Sequence, residues 1–245
     1  MSRFRFALPC GLVVAIIASS YCILAQEPIG GAQIAPIVPA AAAIKDPSSY
    51  ALGFDVGSSF VQRQMSEKEI DAKEFVNGFF DALSKKEPKL NPQQMEAAFQ
   101  ALQQRMQKKV LEVAKQNLAK AKAYLEENKK KDGVQTLPSG LQYTVLKTGS
   151  GKQPTLVDTA VVHYEGKLID GLVFDSSLKR NKPEPFEIGR VVKGWTEALQ
   201  RMKVGDKWLV TLPPELGYGE GGFPPDIGPN EALIFEMELL DVIKK

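Results

Sequence analysis

Apolar and polar positions change period along the chain, and the changes mark its boundaries. From Tyr50 to about Lys131 apolar residues recur at threes and fours, the spacing of one helix face. In YALGFDVGSSFVQRQM that set is Leu52, Val56, Phe60 and Met65. Asp71-Ala-Lys-Glu74 reads as a capping box, with Asp71 capping the start and Glu74 reaching back, ahead of Phe75, Phe79, Phe80 and Leu83. A further helix starts at Asn91, suited to the N-cap, with Pro92 in the first helical position and Gln94 completing a box. Neither proline nor glycine interrupts it before about Lys130, and Met95, Phe99, Leu102, Met106, Val110 and Val113 form its stripe, continued more weakly by Leu118, Ala121 and Leu125. Roughly 40 residues at 1.5 Å each make a helix about 60 Å long, which two helices of about 20 Å cannot cover. A second copy of the chain is expected to cover it, giving a homodimer; a solvated spacer helix is the alternative.

At Lys131-Asp-Gly133 the helical period stops. Beyond it come short alternating or apolar runs, LQYTVLK (141–147), TAVVHYEG (159–166), PFEIG (185–189), KWLVTLP (207–213) and ALIFEMELLDV (232–242), separated by glycine and proline as in an antiparallel sheet. In the last run Leu233, Phe235, Met237 and Leu239 face one way, and Glu236 and Glu238 the other. Only GWTEALQRM (194–202) reads as a helix in this half. The class is therefore α+β: an all-helical N-terminal domain, then a sheet packed on one short helix.

Composition adds an export signal and removes some chemistries. Arg3 and Arg5 precede the apolar run 7–25, the pattern of a secretory signal peptide cleaved near Ala25; an uncleaved membrane anchor is the alternative. Lipidation at Cys22 is a lesser alternative, disfavoured by the bulky Tyr21. Without Arg3 and Arg5 the 31 basic residues fall to 29, equal to the 29 acidic ones, so nothing general attracts nucleic acid. Both cysteines lie in that leader, which leaves a cleaved chain no thiol, and with a single histidine no transition-metal site is expected. Residues 26–49, rich in proline, glycine and alanine, read as a flexible arm.

Candidate catalytic groups crowd into VVHYEGKLIDGLVFDSS (161–177). His163, Asp170, Asp175, Ser176 and Ser177 resemble hydrolase parts, but no G-x-S-x-G elbow is present. In the strand pattern His163 points away from the face of Val162 and Tyr164, and the two serines read as turn formers bonded to local backbone. Gly217-Tyr-Gly219-Glu-Gly-Gly222 satisfies a dinucleotide-binding pattern, yet Phe223-Pro224-Pro225 forbids the helix such a site needs. What remains is a set of aromatic and aliphatic side chains able to line one pocket.

The segments VHYEGKLIDGLVFDSSLKRNKP, VVKGWTEALQRMKVGDK, LPPELGYGEGG and IGPNEALIFEMELLDV resemble the FKBP-type peptidyl-prolyl cis–trans isomerases over roughly 137–243. The helical half is similar to the macrophage infectivity potentiator-like and FkpA-like branch of that family. After the signal peptide at 1–25 and the arm at 26–49, the resemblance implies a helical dimerisation domain at 50–131 with its long helix at about 91–130, and an isomerase domain at 132–245. It further implies that Tyr164 and Phe174 wall a pocket rimmed by Asp175, with Trp195 as floor and the Tyr218 hydroxyl presented from a loop. Val191, Val192, Phe186, Phe223, Phe235 and the flap residue Ile227 would contact substrate, and Arg180 would support Asp175. Implied partners are proline-containing unfolded or partly folded polypeptides, a second copy bound through the N-terminal helices, and macrolides such as tacrolimus. No cofactor and no metal are implied; the location is the periplasm or outer envelope of a bacterium. A holdase chaperone with secondary isomerase activity is the alternative function. The chain departs from the family's small human member at Glu184, which stands where that protein has an aromatic, and in the flap Phe223 takes the place of a histidine and Asp226 that of an aliphatic residue.

Overall fold

The computed structural model describes residues 44–244. The expected signal peptide, both cysteines and the arm as far as residue 43 lie outside them. The first helix, α1 (Pro47–Gln62), begins ahead of Tyr50, within the stretch expected as arm. Asp46 accounts for the early start: its carboxylate accepts from the Ser48 N–H at 3.1 Å, with Pro47 in the first turn. A single 3₁₀ turn, Glu67–Glu69, carries a full capping box between Ser66 and Glu69, and Glu69 also receives Lys109 at 2.7 Å. In α2 (Ala72–Leu83) the expected box is half made. Asp71 accepts from Lys73 and Glu74 at 2.9 and 3.0 Å, but among the described residues no bond returns from the Glu74 carboxylate.

The long helix α3 (Pro92–Asn128) has 37 residues, about 55 Å at the standard rise. Asn91 and Gln94 close its capping box at 2.9 and 3.0 Å. Its buried residues, Asn117, Ala121 and Asn128, all fall in the second half, where it meets the sheet. Asn117 donates to the Pro229 carbonyl at 2.9 Å, Asn230 donates to the Ala114 carbonyl at 3.3 Å, and Asn128 donates to Gln142 at 2.9 Å. The other helical faces are poorly covered. No residue of α1 or α2 is buried, and Phe79, Phe80, Leu83 and Phe99 stay exposed.

Seven strands form one antiparallel sheet: β1 (Gln135–Thr136), β2 (Gln142–Lys147), β3 (Thr159–Leu168), β4 (Val173–Ser176), β5 (Glu184–Glu187), β6 (Lys207–Leu212) and β7 (Leu233–Ile243). The order is β1-β2-β6-β7-β3-β4, with β5 also paired to β3. Strand β3 alternates strictly, with Ala160, Val162, Tyr164, Gly166 and Leu168 buried and the residues between them half-buried. In β7, Leu233, Phe235, Met237 and Leu239 are buried while Glu236 and Glu238 are half-buried, Glu236 meeting Lys207 at 2.5 Å. The inward row covers the short helix α4 (Lys193–Leu199), whose Gly194, Trp195, Ala198 and Leu199 are buried.

One edge of β3 is shared. Its first residues pair with β5 (Val162 opposite Glu184) and its last with β4 (Gly166 opposite Asp175). Between the two pairings the chain leaves the sheet as a loop, 177–183. Ser177 closes that gap: its N–H donates to the Tyr164 carbonyl at 2.9 Å, and its hydroxyl accepts the Tyr164 N–H at 2.7 Å. The divided edge places loop 177–183, and with it Arg180, beside the inward end of Tyr164.

Candidate active site

Four aromatic side chains converge above α4. The Trp195 indole, 4% exposed, meets Tyr164, Phe186 and Phe235 at ring-centroid distances of 5.1, 5.1 and 5.3 Å, each edge to face. Such contacts contribute about 0.5–1.5 kcal/mol apiece beyond the area they bury. Phe174 extends the wall through an edge contact to Phe235 at 5.7 Å. Each ring comes from a different element: Tyr164 from β3, Phe174 from β4, Phe186 from β5, Trp195 from α4 and Phe235 from β7. Antiparallel register makes the meeting possible, since Gly166 lies opposite Phe235 on one side and Asp175 on the other. A side chain at Gly166 would come within 2.7 Å of the Phe174 ring and 2.8 Å of the Phe235 ring. Reasoning from sequence passed over this residue, although glycine inside a strand commonly marks such a close approach.

Polar groups gather on one side of the rings. The Tyr164 hydroxyl donates to Asp175 at 2.6 Å, and the Arg180 guanidinium pairs with the other carboxylate oxygen of Asp175. Arg180 also donates to the Tyr164 oxygen at 3.0 Å and to Glu184 from Nε at 3.0 Å. Burial, and then the bond to Asp175, push the Tyr164 hydroxyl far above the ordinary range, so it stays protonated as a donor. With both oxygens engaged, the Asp175 carboxylate is fixed in place. Arg180 thus supports Asp175 and touches Tyr164 as well.

The remaining expected residues occupy two segments. Val191 and Val192, half-buried, lead into α4, where the Val192 carbonyl accepts from Thr196 at 3.1 Å. Among the described residues the Val192 N–H donates to no backbone carbonyl. Tyr218 and Phe223 stand together in the glycine-rich loop, centroids 5.2 Å apart. No helix follows that loop; Phe223 and Ile227 instead exchange two backbone hydrogen bonds at 2.8 and 2.9 Å. Ile227 is buried at 2% exposure and borders a cavity of about 270 Å³ with Val61, Met65, Val110 and Val113.

His163 and Ser177 do approach one another, the imidazole Nδ1 lying 3.0 Å from the serine oxygen. Ser177 is thus not the local turn former its position suggested, although Ser176 is one, accepting from the Lys179 N–H at 3.2 Å. The pair is still no nucleophile and base. Ser177 is wholly buried, and its hydroxyl accepts from the Tyr164 N–H and faces the Tyr164 carbonyl at 3.1 Å as well as the imidazole. The hydroxyl is committed to the Tyr164 backbone, and its burial keeps substrate from it. Among the described residues no cluster of histidine, cysteine or carboxylate side chains suits a metal ion.

Comparison with known proteins gives a consistent match. Residues 150–240 match the family of FKBP-type peptidyl-prolyl cis–trans isomerases, and 45–145 match the domain found amino-terminal to it. The peptidyl-prolyl cis–trans isomerase Mip of Coxiella burnetii is 44% identical over 205 residues, covering 82% of this chain and 88% of that protein. The outer membrane protein MIP of Legionella longbeachae is 41% identical over 204 residues, 82% of this chain and 86% of that one. Among solved structures, FkpA from Escherichia coli superposes with a TM-score of 0.59 at 40% identity, covering 82% of this chain and 99% of that one.

Proposed function

The chain belongs to the FKBP-type peptidyl-prolyl cis–trans isomerases, and from that premise we propose that the aromatic cluster centred on Trp195 is its catalytic pocket. The enzyme accelerates rotation about X–Pro bonds, a reaction that makes and breaks no covalent bond. Amide resonance sets the barrier at about 20 kcal/mol, so uncatalysed exchange takes tens to hundreds of seconds. As the bond twists, conjugation is lost and the carbonyl gives up its dipolar form. An apolar, enclosed site disfavours the more polar planar state relative to the twisted one.

In this reading the prolyl ring sits on the Trp195 indole, walled by Tyr164, Phe174, Phe186 and Phe235. The Val192 N–H and the Tyr218 hydroxyl hold the flanking carbonyls, and Val191, Phe223 and Ile227 complete the contacts. The Asp175 charge, held in place by Tyr164 and Arg180, orients the twisting amide, an electrostatic contribution set up before substrate arrives. The observation that carries the reading is the convergence of three rings on Trp195 from three separate strands, with a carboxylate held at both oxygens beside them.

The experiment is a protease-free isomerisation assay on a proline peptide. Trp195→Ala and Asp175→Ala are each expected to lower kcat/KM at least tenfold, about 1.4 kcal/mol of barrier, while circular dichroism stays native. Normal turnover in both would overturn the assignment of the site.

Substrates in this reading are proline-containing polypeptides still folding after export. The basic start and apolar run of residues 1–25, and a relative named as an outer membrane protein, support a bacterial envelope location. No helix of the described residues is long and apolar enough to cross a membrane. The exposed rings of α2 and α3 support a dimer formed through the helical segment.

A further inference from the structure

Glu184 is one of the chain's sequence departures, and its surroundings give it work. It lies on β5 between Pro183 and Pro185, opposite Val162 and so on the inward side of the sheet. Only 9% of it is exposed. One carboxylate oxygen receives two N–H groups of Arg180, from Nε at 3.0 Å and Nη2 at 2.9 Å. The same guanidinium reaches Asp175 through Nη1 and the Tyr164 oxygen through Nη2. Arg180 rides on loop 177–183, outside the sheet, and its side chain is 42% exposed. A guanidinium so placed has many rotamers open to it, and a planar fork is fixed only when partners engage more than one of its edges. Glu184 engages the Nε edge and Asp175 the opposite Nη1, so the fork is held from both ends.

The second oxygen of Glu184 is buried and has no hydrogen-bond partner among the described residues. Burying a carboxylate in this way is unfavourable, and an apolar side chain facing the same core would avoid it. The carboxylate makes sense as the anchor of Arg180, the cation that touches both Asp175 and Tyr164 among the described residues. We propose that Glu184 is a positioning residue for isomerisation, fixing Arg180 so that the guanidinium holds Asp175 and the Tyr164 hydroxyl in the pocket wall. This rests on the pocket assigned above. Glu184 itself touches no reacting atom; its effect passes through Arg180.

The test is a double-mutant cycle in the same peptide assay. Glu184→Leu is expected to lower kcat about fivefold with KM changed less than about twofold, because substrate still binds the rings while the charge beside the amide is loosened. Glu184→Gln keeps an acceptor oxygen for Arg180 and should restore kcat to within about twofold of the parent. In an Arg180→Met background, which already lacks the clamp, adding Glu184→Leu should change kcat by less than about 1.5-fold, since coupled residues are not additive. A side-chain Nε–H resonance of Arg180 that is protected from exchange in the parent and in Glu184→Gln, and lost in Glu184→Leu, would show the clamp directly. Full kcat in Glu184→Leu, or the same fivefold loss with Arg180 already replaced, would overturn the proposal. Trp195→Ala and Asp175→Ala run alongside. If they lose activity while Glu184→Leu does not, this inference alone fails; if they too keep full activity, the pocket assignment fails and this inference with it.

Discussion

The Tyr218 hydroxyl has its pKa pushed up to about 12 by burial and then by the negative charge of Asp175. Its folded value lies above the ordinary 10.0, so the neutral donor persists below that value and is lost only as pH rises toward 12. If Tyr218 holds a substrate carbonyl, kcat/KM should stay level from neutral pH to pH 10, where an unshifted tyrosine would be half ionised. Tyr218→Phe should lower kcat/KM about three- to tenfold across that range, the loss of one hydrogen bond. A decline centred on pH 10 in the parent but absent from the Phe variant would count against this placement. At this scale sequence reading found the aromatic residues, because ring-bearing positions in strand and helix patterns are visible one at a time. Glu184 registered only as a departure, and Ser177 only as a turn residue. Tyr164, the partner of Ser177, is set by strand pairing that no local pattern displays, and Arg180, four residues before Glu184, meets it only through the path of loop 177–183.

Helix ends were legible for the same reason that tertiary contacts were not. A capping box spans four residues, so Asn91 with Gln94 announced α3 without help from the rest of the chain. The divided edge of β3, shared by two four-residue strands, has no such signature. Nor does the docking of α3 on the glycine-rich loop, where Asn117 and Pro229 stand 112 residues apart in sequence. That contact is expected to steady the loop carrying Tyr218, Phe223 and Ile227. Asn117→Ala leaves the buried Pro229 carbonyl without its partner, a loss of about 1–3 kcal/mol. Amide hydrogen exchange at Ile227 and Asn230 should then speed up about tenfold or more, while β7 is unchanged. Equal acceleration throughout the sheet would mean that the asparagine stabilises the whole domain and does not act on the loop.

For the whole molecule, the unfinished surface is in the helices. Phe80 is 59% exposed, Phe99 61% and Leu83 64%, an apolar area that a lone soluble chain rarely leaves uncovered. Light scattering at micromolar concentration should give the mass of two chains. Phe80→Glu together with Phe99→Glu should give the mass of one, with turnover of a short peptide within about twofold of the parent, because the substitutions lie outside the ring cluster. A single-chain mass for the unaltered protein would remove the dimer. The division into a helical half and a sheet half could be read in advance, since a change of period is a property of the string itself; how the halves meet depends on side chains in three dimensions. A pocket that twists an amide forms no covalent intermediate in the proposed reaction, and the Ser177 hydroxyl, wholly buried against the Tyr164 backbone, offers no exposed nucleophile. Probes that trap a catalytic nucleophile, fluorophosphonates among them, are therefore expected to leave the proposed pocket unlabelled. Inhibitors have to succeed by shape and residence time alone.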